Sequence, residues 1–307
     1  MSDVDGPSLL SMYRAILENQ MPAAREWLRT GGDPNQQDDC GWSPLLVAIR
    51  HRNHDMVRLL MEHGADPTRS NARGESAWSF AAERGFTRSV RLFLDGGIDP
   101  NQASWDGMTA LALAIRRGRG AVTRLLLERG ADPDRADLEG RTPLMHAAVR
   151  DDVRAIGYLI GKGADIHACD RHGRTALGWA SRSGAAAASV ELLAAGAAID
   201  VRDESGNTPL MLAVSHGQSV RMIPILIYAG ADPLATNHRG QTPLDILIRL
   251  GTTPIEVLDN SLARPGASAT LARVLSALSE ARARRLLPRC VALQTKRAVL
   301  DGWRRPP

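Results

Sequence analysis

The side chains best placed to do chemistry in this 307-residue sequence are arginines that recur beside large apolar residues. Arg116, Arg117, Arg141, Arg150, Arg171, Arg174 and Arg182 fall at equivalent surface positions, opposed there only by Asp106 and Glu139, a surplus of five positive charges. Arg84 belongs to the same series, and Trp42, Trp105, Met108 and Leu138 stand at neighbouring positions expected to face water. A guanidinium presents a planar fork that matches a carboxylate, and Trp and Arg are the residue types most enriched where binding energy concentrates. The chemistry indicated is therefore recognition of an acidic protein segment on a basic, aromatic, concave surface. Bond-making is not indicated. The sequence contains neither a G-x-x-x-x-G-K-[ST] loop nor a G-x-S-x-G elbow. Asp66, Asp99, Asp132, Asp165 and Asp232 recur at one place in successive segments, which makes them turn formers rather than paired acids. His167, Cys169, Asp170 and His172 are of metal-ligand type, but other segments put unrelated residues there and no second cluster completes a site. The expectation is a non-enzyme without metal, cofactor or small-molecule substrate.

The elements that must position these arginines are written as a repeat. Turn glycines stand at Gly41, Gly74, Gly107, Gly140, Gly173, Gly206 and Gly240, separated by 33 residues five times and then by 34. A second series, Gly31, Gly64, Gly97, Gly130, Gly163, Gly196 and Gly230, follows the same rule. Between them each unit reads as two short helices. In the unit from Gly140 to Asp165, Thr142 is placed to cap the first helix, and Pro143 suits the first helical position because its missing N–H costs nothing there. Ala147 and Ala148 permit close approach, Tyr158, Leu159 and Ile160 supply an apolar second helix, and Gly163 ends it in the left-handed conformation. No single unit can bury both faces, so the units must stack.

A 33-residue period with T-P-L-x-x-A resembles the ankyrin repeat. The motif stands as Ser43-Pro44-Leu45, Thr142-Pro143-Leu144, Thr208-Pro209-Leu210 and Thr242-Pro243-Leu244, and in weakened form as Ser76-Ala77-Trp78, Thr109-Ala110-Leu111 and Thr175-Ala176-Leu177. The resemblance spans roughly residues 8 to 260. It implies an α-repeat solenoid with short β-hairpin fingers, a protein partner bound at hairpin tips and exposed first-helix ends, and no catalysis. By that alignment the tips and helix ends include the arginines and apolar residues named above.

Three segments follow from the pattern: an N-terminal capping repeat over residues 1–35, seven repeats over 36–260 and a helical tail over 261–307. Pro224, with one extra residue in the sixth unit, predicts a kink or bulge. The tail carries ten basic residues, among them Arg282, Arg284, Arg285, Arg289, Lys296 and Arg297, against Glu280 and Asp301. Its charge of +8 exceeds the +4 of the whole chain, so the remainder carries −4. A basic tail suits a cap over the last repeat, or attraction to nucleic acid or an anionic membrane. Thr270-Leu271, Leu275, Leu278 and Leu287-Pro288 faintly resemble the ubiquitin-ligase adaptor box of ankyrin proteins with a SOCS box, with Leu275 in place of the usual cysteine. Three scattered cysteines make no disulfide framework, and the start lacks a signal-peptide pattern. The expectation is a monomer in a reducing cytosol, the producing cell's or a host's. Only Lys162 and Lys296 are lysines, a bias that points to a GC-rich, bacterial genome.

Overall fold

The computed structural model describes residues 8–250, apart from Trp105, Gln218 and the side chains of residues 219–221. The described residues form fifteen helices, two to each repeat except the last, of which only the first helix is described. The first helices are α1 (Leu9–Leu17), α3 (Pro44–Arg50), α5 (Ala77–Arg84), α7 (Ala110–Arg116), α9 (Pro143–Val149), α11 (Ala176–Ser183), α13 (Pro209–Ser215) and α15 (Pro243–Arg249). The second helices are α2 (Met21–Arg29), α4 (His54–Glu62), α6 (Thr87–Asp95), α8 (Gly120–Glu128), α10 (Val153–Gly161), α12 (Ala186–Ala194) and α14 (Ser219–Tyr228). The fold class is an α-repeat solenoid.

The described residues divide into two compact bodies, one up to Leu138 and one from Glu139 onward. In the first, α1, α3, α5 and α7 pack in series and α2, α4, α6 and α8 form the layer behind them. The second repeats the plan with α9, α11, α13 and α15 in front of α10, α12 and α14. Its core runs through Leu177, Leu210, Met211, Met222, Leu226 and Leu247. In the first body Leu46, Ile49, Met56, Leu60, Leu111 and Leu126 are buried to the same degree.

All seven hydroxyl residues of the repeated motif cap their helices. Ser43, Ser76, Thr109, Thr142, Thr175, Thr208 and Thr242 each accept a hydrogen bond from the backbone N–H three residues on. Each bond satisfies one of the donors that a helix start leaves open, which is worth about 1 kcal/mol. Pro44, Pro143, Pro209 and Pro243 occupy the first helical positions.

The hairpin fingers are turns rather than strands: among the described residues only two isolated bridges form, Ser70 with Ser76 and Ala103 with Thr109. Side chains take over part of the ladder. Asp38, Asn71, Asp170, Asp203 and Asn237 each accept, through one oxygen, the N–H groups two and four residues on. Successive fingers then join by single backbone bonds, such as Arg171 N–H to Glu139 O at 3.1 Å. Gly140, at φ +76°, makes room for this bond, because a Cβ there would come within 2.9 Å of the Arg171 nitrogen. The turn between first and second helices carries a third 33-residue series of left-handed residues: Asn19, Arg52, Gly85, Gly118, Asp151, Gly184 and Gly217. Pro224 does not divide its element: α14 runs through it as one helix of ten residues, one more than its counterparts, which absorbs the inserted residue. The second helix expected for the seventh repeat and the tail, with Arg282, Arg284, Arg285, Arg289, Lys296 and Arg297, lie outside the described residues.

Candidate functional site

In the C-terminal body the fold gathers arginines around Trp179. This half-buried side chain leaves α11 four residues after the Thr175 cap. The Arg174 guanidinium lies 4.2 Å from its ring centroid, that of Arg182 5.1 Å and that of Arg141 6.0 Å. All three are within the distance at which a cation is drawn to an aromatic face. Arg182 reaches the ring because it stands one helical turn after it on the same face. Arg141 and Arg174 come from equivalent places, directly after the turn glycines Gly140 and Gly173.

Asp170 organises this group from beneath. One carboxylate oxygen accepts from the N–H groups of His172 and Arg174, both at 2.9 Å. The other accepts from Arg174 Nε at 3.0 Å and Trp179 Nε1 at 2.9 Å, and Arg174 Nη2 approaches it to 2.9 Å. Burial opposes ionisation of Asp170, but the N–H groups and guanidinium of Arg174 and the N–H of His172 outweigh it. The carboxyl is held below the ordinary aspartate value of 3.8. The pair is 14% exposed at Arg174 and 1% at Asp170, so Arg174 is a strut that fixes the indole rather than a free charge. Arg171 is exposed on the finger tip and Arg150 is exposed at the C-cap of α9. The five expected arginines of this body, set against Glu139 and Asp170, keep a surplus of three.

The N-terminal body repeats the theme around Trp42 and Phe80. Arg50 lies 5.1 Å from the Trp42 ring and 5.9 Å from the Phe80 ring, and Arg84 lies 5.1 Å from Phe80. Trp42 is anchored through its backbone, donating to Asp38 at 2.8 Å and accepting from the Tyr13 hydroxyl at 2.6 Å. Arg117 is not a free cation: its Nε and Nη2 contact Glu83 at 2.8 and 2.7 Å, with Arg116 3.8 Å from the same oxygen. Glu83, from the preceding repeat, was missing from the charge count read off the sequence.

Met108 does not face water. It is 3% exposed and packs on Ala112 and Leu113. Its finger keeps the backbone bond of the others, from the Ser104 N–H to the Met108 carbonyl at 2.9 Å, but Ser104 replaces the usual Asp or Asn and the Met108 N–H donates to Asp106 instead, at 3.2 Å. Leu138 is 54% exposed and lies over Gly107, where a Cβ would meet its Cγ at 2.8 Å. Trp105 is outside the described residues.

Trp179 and Phe80 were not singled out by the sequence, Arg50 counted only as one of the first-helix ends, and Glu83 and Asp170 were not recognised as the carboxylates that hold the arginines. A signal existed: an aromatic residue four places after the cap, with arginine one turn later, marks Phe80–Arg84 and Trp179–Arg182. Cys169 and His167 lie on an exposed finger, and the Cys169 thiol is pushed above its ordinary value, first by burial and then by Asp170 and Asp165. Such a thiol is a poor ligand or nucleophile at neutral pH. Among the described residues no three His, Cys, Asp or Glu side chains converge as a metal site would require, and no helix is long and apolar enough to cross a membrane.

Comparison with known proteins fits this architecture. A family model described as "Ankyrin repeats (3 copies)" matches residues 12–104, 63–137, 80–170 and 134–203, and one described as "Ankyrin repeats (many copies)" matches 192–247. The crystal structure of the ankyrin repeat domain of Bcl-3, a member of the IkappaB protein family, is similar with a TM-score of 0.63 and 30% sequence identity. That match covers 74% of this chain and 100% of the other. No curated protein sequence matches significantly. Ankyrin repeats are general protein–protein interaction modules, and with matches covering most of its length this chain belongs to the ankyrin repeat family.

Proposed function

We propose that the protein is a non-catalytic scaffold that binds the acidic segment of a protein partner on its finger tips and first-helix ends. The observation that carries this reading is the Trp179 cluster. Its indole is rigidly held by Asp170 and Arg174, and Arg141 and Arg182 lie against the same ring. A preorganised aromatic anchor loses little entropy on binding, and the Arg182 guanidinium stacked on it keeps its edge for carboxylate oxygens. The Trp42–Phe80 group with Arg50 and Arg84 offers the N-terminal body a second, separate contact of the same kind. The chain is taken to act as a monomer in a cytosolic setting.

The test is quantitative binding of a partner isolated on the full chain, repeated with the double substitution Arg171→Glu and Arg182→Glu. Neither side chain supports the core, so the fold should survive. Reversing two charges should lower affinity by about tenfold or more, chiefly through slower and less salt-sensitive association. Unchanged affinity would remove the arginine face from the reading. Loss of binding on deleting residues 261–307 alone would assign the activity to the basic tail.

A further inference from the structure

On another part of the N-terminal body a groove of about 720 Å³ opens between the end of α1, the start of α4 and one face of α6. Its charged walls come from Arg52, Arg58, Arg88 and Arg91 and from Asp55 and Asp95. Both carboxylates are engaged: Asp55 by Arg58 at 3.9 Å, and Asp95 by Arg129, from outside the groove, at 2.7 Å. Arg52, Arg88 and Arg91 are exposed and have no carboxylate within ion-pair distance among the described residues. His51 and His54 stand beside them, and Leu17 and Leu92 add apolar wall. Leu17 is 57% exposed, a large apolar side chain left open to the groove.

The backbone supplies an independent sign. Arg52 sits at φ +57°, in the left-handed position that Gly85, Gly118, Gly184 and Gly217 fill in other repeats. An L-residue with a Cβ costs about 1–2 kcal/mol there, and such strain persists where it serves a purpose. Asn19, at φ +54°, occupies the same position one repeat earlier and also lines the groove. The Asn19 side chain has a structural use, accepting from Asn53 Nδ2 at 3.0 Å. The Arg52 guanidinium has only the Phe86 ring, 5.2 Å away. Two of the three non-glycine left-handed residues among the described residues thus border one groove.

We propose that this groove binds a small organic polyphosphate of nucleotide size. Its phosphates engage Arg52, Arg88 and Arg91, and its apolar or aromatic moiety rests on Leu17 and Leu92. The volume lies within the range of about 300–1,000 Å³ usual for ligand sites. Three guanidiniums without a carboxylate partner suit a compact, multiply charged anion, because each can fork two phosphate oxygens. The site is separate from the Trp179 face, so neither proposal depends on the other.

Isothermal titration of the full-length chain with ATP and with inorganic tripolyphosphate tests it. Saturable 1:1 binding of both is expected, falling as salt rises, with ATP the tighter. Arg88→Ala and Arg91→Ala should each weaken binding about tenfold, the equivalent of one charge-assisted contact. Arg52→Gly is the diagnostic variant: it should weaken binding similarly while raising the melting temperature, since glycine relieves the left-handed strain. No saturable binding, or binding equal in all three variants, overturns the proposal. Binding that disappears only when residues 261–307 are deleted also overturns it, since the tail would then be the anion site. Tripolyphosphate binding as tightly as ATP overturns the assignment of the apolar wall.

Discussion

Replacing Asp170 with Asn isolates what holds Trp179 in place. The isostere keeps the oxygen that accepts from the His172 and Arg174 N–H groups, so the finger keeps its turn. It loses the second oxygen, which receives Arg174 Nε at 3.0 Å and Trp179 Nε1 at 2.9 Å, and it sets an NH₂ group against those donors. A hydrogen bond to a charged group contributes about 1.5–3 kcal/mol, and breaking a buried ion pair costs about 3–5 kcal/mol. Arg174 can swing partly toward water, which lowers the cost to about 2–4 kcal/mol. At about 2–4 °C per kcal/mol for a body of this size, the thermal midpoint should fall by about 5–15 °C at neutral pH. The sign with pH follows from the depressed Asp170 pKa. Its stabilisation is complete above the unfolded value of about 3.9 and is lost as pH falls through the lower folded value. Thermal melts of wild type and variant, followed by tryptophan fluorescence from pH 7 to pH 2.5, should therefore differ at neutral pH and converge in acid. Equal melting at pH 7, or a gap that stays constant down to pH 2.5, would refute the role given to Asp170.

Further outcomes follow from other contacts. Met108→Ala should cost about 2–5 kcal/mol in denaturant unfolding because Met108 is 3% exposed, whereas Leu138→Ala at 54% exposure should cost under 1 kcal/mol. Similar costs for the two would contradict the placement of Met108 in the core. Gly140→Ala meets both a φ of +76° and a backbone nitrogen 2.9 Å from its Cβ, so it should destabilise by more than about 1 kcal/mol. Unchanged stability would show that the fingers need not approach so closely. Burial, then the Asp38 charge, pushes the Tyr13 hydroxyl above its ordinary value of 10.0. Its stabilisation is therefore complete below pH 10 and is lost as pH rises through the folded value. Tyr13→Phe should be less stable by about 1 kcal/mol at pH 7 and lose less as pH rises above 10; parallel alkaline unfolding curves for the two proteins would rule this out.

The repeat was readable because each unit needs the same local solutions. Seven Ser or Thr residues cap seven helices, and glycines sit where the chain must turn left-handed. The helix-to-helix turn was not readable as a series, because Asn19, Arg52 and Asp151 interrupt its glycines. Asp151 earns its conformation through a bond from the Ala188 N–H at 2.6 Å, a contact 37 positions away that no local pattern announces. Met108 was misplaced because the residue after a turn glycine is only half-buried at Trp42, Arg141 and Arg174, and its position alone does not show that an apolar side chain there packs on Ala112 and Leu113. The arginines were found, but not their partners. Glu83 and Asp170 come from a neighbouring repeat or from beneath the finger, so charge counted by position overstated what is free. Trp179 escaped notice because Val47, Leu113 and Leu212 hold the same place as ordinary packing residues.

The central claim is that a protein partner is held by the arginine and tryptophan face of the repeats. The most direct measurement is the dissociation constant of an isolated partner at low and moderate salt. It should be taken for the full chain, for the Arg171→Glu, Arg182→Glu double variant and for a chain lacking residues 261–307. The account predicts an affinity that falls with salt for the full chain, that drops about tenfold or more in the double variant, and that persists without the tail. An affinity untouched by the two charge reversals, or abolished by removing the tail alone, would contradict it.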